Sequence, residues 1–138
     1  MAVVLDTSVL YALTDTEEPA HRACVNALLA EIESIVVPQV VLPEVAYLLA
    51  SRLGGEIESR FFEGLLASRW RLEPLTDPDL PRAMALLRQY ADAQVGFVDA
   101  GVVAIAERLG VTRIYTLDRR HFALIRPAHA PAFELVPN

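Results

Sequence analysis

The chain contains no lysine: all 12 of its basic residues are arginine. It has one cysteine, one tryptophan and six glycines in 138 residues, and no long uninterrupted apolar run. Each shortage excludes something. A lone Cys24 permits no internal disulfide, which suits a reducing compartment and an expected cytoplasmic location. Although 54% of the residues are hydrophobic, no stretch approaches the roughly 20 apolar residues that cross a bilayer. Nor does the opening read as a signal peptide. Met1-Ala2-Val3-Val4-Leu5 has no basic segment ahead of it, and Asp6 cuts it short. Without lysine, a receiver-type phosphoacceptor site lacks the cation that reads a phosphoaspartate, and a Gly-x-x-x-x-Gly-Lys phosphate loop cannot be written. Asp6-Thr7-Ser8 lacks the second acid of an Asp-x-Asp phosphatase, and no glycine-rich first turn is available for a dinucleotide.

What is present is an alternation of short apolar strands and amphipathic helices. Val3-Val4-Leu5 reads as a buried strand ended by Asp6-Thr7-Ser8, with Val9, Leu10, Ala12 and Leu13 opening a helix. Pro19 is expected in the first turn of a helix over 19–32, spaced by Ala23, Leu28, Leu29 and Ile32. Ile35-Val36-Val37 is a second strand. Helices are expected at 40–53, with Pro43 in its first turn, and at 56–69. Residues 71–75 form a weak strand, and Asp77 and Asp79 precede a further helix. The best patterned helix covers 97–109, followed by Gly110. Ile114-Tyr115-Thr116-Leu117 is the next strand and Phe133-Glu134-Leu135-Val136 a final edge strand, with a turn expected at Asp118-Arg119-Arg120. The pattern predicts an α/β fold, residues 1–138 forming a single domain around a mostly parallel sheet covered by helices on both faces.

Ligands of such sheets bind beyond the carboxyl ends of the strands, and two strands here end in aspartate, at Asp6 and Asp118. Asp99 falls in the first turn of the 97–109 helix, and Glu44 follows Pro43 within the apolar run Val40-Val41-Leu42 and Val45-Ala46. Singly, each has an ordinary explanation: a helix cap for Asp6 or Asp99, a solvated helix start for Glu44, a turn for Asp118. Together they do not. Two bare carboxylates about 4 Å apart repel by roughly 4 kcal/mol at an effective dielectric near 20. Structure alone has no reason to assemble four, and a divalent cation compensates them all. Hard oxygen ligands suit Mg²⁺ or Mn²⁺, and neither the cysteine nor a histidine is expected to build a zinc site. The net charge of -6 first argues against a nucleic-acid ligand, but carboxylates gathered around a cation make a locally positive site.

Four segments carry a family resemblance. Val3-Val4-Leu5-Asp6-Thr7-Ser8-Val9-Leu10, Leu42-Pro43-Glu44-Val45, Gly96-Phe97-Val98-Asp99-Ala100 and Thr116-Leu117-Asp118-Arg119-Arg120-His121-Phe122 resemble the successive motifs of PIN-domain nucleases, in particular the VapC toxins of bacterial toxin–antitoxin pairs. The resemblance runs from the first strand to the last. It implies a PIN-like three-layer sandwich, dependence on Mg²⁺ or Mn²⁺, RNA as substrate, a homodimer and a VapB-type antitoxin. By position, Asp6, Glu44, Asp99 and Asp118 match the acidic quartet, and Ser8 matches a hydroxyl near the metal. Ser8 reads equally well as a second capping hydroxyl. Thr116 reads as strand packing, His121 as a structural histidine without a partner, and Arg119 and Arg120 as a solvated turn beside the site.

The expected chemistry is metal-assisted phosphodiester hydrolysis, which requires neither a lysine nor a histidine base. Asp6 and Asp99 are the first choices as ligands. Asp118 is expected to bind directly or through water, and Glu44 to orient or deprotonate the attacking water. The resemblance implies 5′-phosphate and 3′-hydroxyl products. The rival readings are a non-catalytic interaction module, using the apolar stripes of helices 19–32 and 56–69 as a partner surface, and a PIN nuclease of RNA processing with no toxin role. RNA turnover separates the module from the enzymes.

Overall fold

The computed structural model describes residues 2–30 and 34–137. Five parallel strands form one sheet: β1 (Val3–Leu5), β2 (Ile35–Pro38), β3 (Arg71–Glu73), β4 (Arg113–Tyr115) and β5 (Glu134–Val136), in the order β3-β2-β1-β4-β5. The helices among the described residues are α1 (Thr7–Thr14), α2 (His21–Leu29), α3 (Leu42–Leu53), α4 (Gly55–Ala67), α5 (Asp79–Gln89), α6 (Phe97–Leu109) and α7 (Arg119–Leu124). The sheet is wholly parallel rather than mostly so. No helix among the described residues is long and apolar enough to cross a membrane.

Burial follows the sequence pattern. Every residue of β1 is fully buried, as a central strand covered on both faces must be. Chain order explains the importance of this strand. The connections from β1 through β2 to β3 run toward one edge, whereas β4 returns to the other side of β1. The crevice between the carboxyl ends of β1 and β4 is therefore the point where the winding reverses, where parallel sheets take their ligands. Leu5 is paired with Tyr115, so the next residues, Asp6 and Thr116, meet across that crevice.

Several boundaries shift. Pro19 stands just ahead of α2, whose N-cap is Ala20; the expected extension through Ile32 lies outside the described residues. A 3₁₀ turn over Gln39–Val41 precedes α3, in which Pro43 occupies the first turn as expected. Helix α6 spans the expected residues and ends on Gly110 with φ 70, a left-handed conformation that costs glycine little. Gly101 lets α6 approach the 3₁₀ turn closely, since an added Cβ would meet both γ-methyls of Val40 at 3.4 Å. The largest departure is at residues 119–124, where the expected turn is the short helix α7, held down by the buried Phe122.

Candidate active site

Asp6 leaves the end of β1 with its backbone N–H donating to the Tyr115 carbonyl oxygen at 3.0 Å. It occupies the N-cap position of α1, yet its side chain makes no capping hydrogen bond. The carboxylate instead accepts a hydrogen bond from Thr116 Oγ1 at 2.8 Å. That same hydroxyl accepts the Asp118 N–H at 2.9 Å, which fixes the turn out of β4. Ser8 completes the lock: its Oγ accepts the Leu117 N–H at 2.9 Å and lies 3.4 Å from Asp6 Oδ2 and 3.3 Å from Thr116 Oγ1. Ser8 is thus tied to the acid and to the opposite strand end, not merely to its own helix.

The other acids arrive on three helices. Asp99 lies in the first turn of α6, where its carboxylate contacts His121 Nδ1 at 2.8 Å. Asp118 is the N-cap of α7, and its Oδ2 lies 3.6 Å from the same nitrogen. The Asp118 side chain makes no capping hydrogen bond. Glu44, in the first turn of α3, accepts a hydrogen bond from Thr7 Oγ1 at 2.8 Å. It is exposed although its sequence neighbours are apolar. On a helix those neighbours point elsewhere: Val45 and Leu49 face the core while Pro43, Glu44 and Tyr47 do not.

Electrostatics couple these groups. Burial pushes the Asp6 pKa up to about 6; the Thr116 hydrogen bond opposes that rise, and the charges of Asp99 and Asp118 add to it. Burial also raises the Asp99 pKa against the hydrogen bond to His121, with Asp118 and Glu44 adding like-charge repulsion. At both carboxylates burial is the larger cause and like-charge repulsion the smaller. No arginine among the described residues forms an ion pair with Asp6, Glu44, Asp99 or Asp118. Arg119 turns away, donating to the Pro137 carbonyl at 2.9 Å, and Arg120 is exposed.

Three residues were misread from sequence. Thr116, taken for strand packing, is a hydrogen-bond partner of Asp6. Thr7, unremarked, tethers Glu44. His121 has partners after all, in Asp99 and Asp118, and donor atoms of these three residues lie within 4.8 Å of one another, a grouping able to hold a metal ion. The sequence expects no histidine to build a zinc site, and the structure sets one histidine beside two of the acids. The His-Phe pair ending the fourth motif was its only sequence signal.

Known proteins agree with this architecture. Residues 3–126 match the PIN domain family. The chain is 33% identical over 135 residues to "Ribonuclease VapC26" of Mycobacterium tuberculosis, covering 98% of this chain and 100% of that protein. Among solved structures, M. tuberculosis VapC20, described as a sarcin-ricin loop cleaving toxin, superposes with a TM-score of 0.79 at 23% identity, covering 84% of this chain and 89% of that one. The VapBC2 structure from Rickettsia felis, bound to a promoter DNA fragment, gives 0.72 at 17% identity, covering 98% and 97%. A family match over most of the chain, a relative aligned along its whole length and an acidic crevice at the sheet's winding reversal agree: the chain belongs to the PIN-domain family.

Proposed function

We propose that this chain is a metal-dependent endoribonuclease, a single nuclease domain over residues 1–138 that acts as the toxin of a VapBC-type pair in the cytoplasm. One observation carries the reading: a buried Asp6, its capping role unused, feels the charges of Asp99 and Asp118 in a crevice where, among the described residues, no arginine pairs with them. The donor chemistry fits a divalent cation, Mg²⁺ or Mn²⁺. Carboxylate oxygens predominate, and Asp6 and Asp99, raised first by burial and further by their acidic neighbours, are carboxylates that a cation would hold ionised. Bound there, a divalent cation activates water and neutralises charge on the phosphoryl oxygens.

The protein's residues then divide the work. Asp6 and Asp99 are the principal ligands, and Asp118 binds directly or through water. Glu44, held by Thr7 but open to solvent, orients or deprotonates the attacking water. Ser8 and Thr116 position Asp6 and keep one of its oxygens occupied, leaving the other for the cation. The name of the M. tuberculosis relative supports RNA as substrate. Toxin–antitoxin complexes among the structural neighbours support a VapB-type antitoxin as partner. By the same resemblance the chain forms a homodimer and leaves 5′-phosphate and 3′-hydroxyl ends.

The test is cleavage of end-labelled RNA by the purified chain, freed of partner, with Mg²⁺ or Mn²⁺ and then with chelator. Asp6→Asn and Asp99→Asn, purified in parallel, should each lose on the order of 10³-fold in rate, the equivalent of several kcal/mol of transition-state charge stabilisation. Cleavage surviving in both variants would expose a contaminating nuclease. A folded protein that binds RNA or an antitoxin without turnover would make the chain an interaction module.

A further inference from the structure

The four-acid reading leaves His121 without a task, yet its ring faces two of those acids. Nδ1 stands 2.8 Å from Asp99 Oδ2 and 3.6 Å from Asp118 Oδ2. Nitrogen and oxygen donors about 2.1 Å from a cation lie roughly 3 Å apart when adjacent in its shell, and the two distances fall on either side of that separation. Helix α7 delivers the arrangement. Asp118 stands at its N-cap position with its carboxylate free of capping, His121 follows at i+3 on the same face, and the buried Phe122 anchors the turn against the core. The His121 and Asp99 side chains are each 18% exposed, so the pair is open to a small solute while largely screened from bulk water. A histidine serving only the core has no need to aim a ring nitrogen between two carboxylates.

We propose that His121 is itself a ligand of the cation held by Asp99 and Asp118, and that its imidazole makes the site select Mn²⁺ over Mg²⁺. Imidazole suits borderline transition-metal ions, whereas Mg²⁺ is bound through oxygen and gives up its waters reluctantly. The inference rests on the acidic crevice being a cation site, and it adds a donor and a preference that four carboxylates would not supply.

The experiment measures Mn²⁺ and Mg²⁺ dissociation constants on the full chain, by titration calorimetry and by the electron paramagnetic resonance of free Mn²⁺ under Mg²⁺ competition. His121→Ala removes the ring. His121→Asn keeps an N–H near the Nδ1 position, so the hydrogen bond to Asp99 survives without the imidazole. Both variants should lower the ratio of Mg²⁺ to Mn²⁺ dissociation constants about tenfold, within the range for groups that tune a metal site. An unchanged ratio in His121→Ala, or a wild-type ratio in His121→Asn, would make His121 a residue that only orients Asp99, and would overturn the assignment. A second readout needs no variant: Zn²⁺ added to the unsubstituted chain should shift the imidazole ¹⁵N resonances of His121 and leave those of His21 and His129 in place. Absence of that shift would also overturn it. Asp99→Asn separates the two levels of the argument. If that variant binds cations as tightly as the wild type, or the wild type binds none, the cation site itself fails. If binding is lost in Asp99→Asn while the His121 variants keep the ratio, only the ligand role of His121 fails.

Discussion

The two ends of α6 treat buried negative charge in opposite ways. At the amino end, Asp99 faces Asp118 and Glu44 with no arginine beside it. At the carboxyl end, about nine residues or roughly 13 Å along the axis, every acid is paired. Arg82 forms a bidentate contact with Glu107 at 2.7 and 3.0 Å. Arg108 reaches Glu73 at 2.7 Å and Asp79 at 2.9 Å and donates to the Pro74 carbonyl. Burial is the largest single influence on Asp79 and Glu107 and raises both, but the arginines together with Thr76 at Asp79 and the Ala128 N–H at Glu107 outweigh it, and both carboxyls sit below their usual range. Burial raises Asp6 and Asp99, and nothing reverses it. The chain therefore neutralises acids with arginine where they hold elements together, and leaves them without arginine in the crevice proposed to take a cation.

That contrast can be broken or sharpened by experiment. The largest effect should come from Arg108→Ala, which strands Asp79, 3% exposed, without its arginine and leaves Glu73, 8% exposed, with Arg71 alone. Breaking a buried pair in this way costs about 3 kcal/mol or more, to be read from urea melts. A loss below about 1 kcal/mol, within the range of surface pairs, would mean that the network is only decoration. The opposite sign is expected at the other end. In chelator at pH 7, Asp6→Asn should stabilise the protein by about 2 to 3 kcal/mol, the worth of a carboxyl raised from 3.8 to about 6.

The same two ends should respond oppositely to acid. Asp6 holds its proton more tightly when folded, so its contribution falls as pH rises from about 4 through about 6, and the Asp6→Asn gain should vanish near pH 4. Asp79 and Glu107 contribute fully above the ordinary carboxylate range and lose their contribution as pH falls through their depressed values. Melts of wild type and Asp6→Asn across pH 3 to 8 separate the two. A gain that persists unchanged at acid pH would trace the stabilisation to something other than Asp6 ionisation.

Smaller still is Thr116→Val, which leaves the Asp118 N–H without its acceptor and Asp6 with only the longer contact to Ser8. The unmet amide should cost about 1 kcal/mol, and cation affinity should fall about tenfold, measured by calorimetry. Glu56→Gln, which removes an exposed i,i+4 pair with Arg60 at 3.2 Å, should not move the melt measurably. It calibrates the other values.

What was legible in the sequence was local. Val3-Val4-Leu5 before Asp6, Pro43 before Glu44 and the apolar face of α6 each announce an element and place an acid at its end. Each acid of the expected quartet sits at an element boundary, where chain pattern is most informative, and the match to a quartet comes from the family resemblance of the four motifs. What escaped was contact between distant segments. His121 and Asp99 are 22 positions apart and on different helices, so no spacing rule joins them. Thr116 reads as packing because a buried threonine in a β-branched strand is ordinary, and only the register of β4 on β1 turns its hydroxyl toward Asp6. Asp118-Arg119-Arg120 carries turn residues, and the helix that follows is stabilised by Phe122 in the core, a tertiary cause that local propensity does not register.

The link from Arg119 to the Pro137 carbonyl gives the last strand an unexpected job. β5 looks like trim on the edge of the sheet, yet through α7 it braces Asp118 and His121 from behind. Shortening the chain ahead of Glu134 would thus act as a remote lesion of the crevice, and a label attached near Pro137 would report on it.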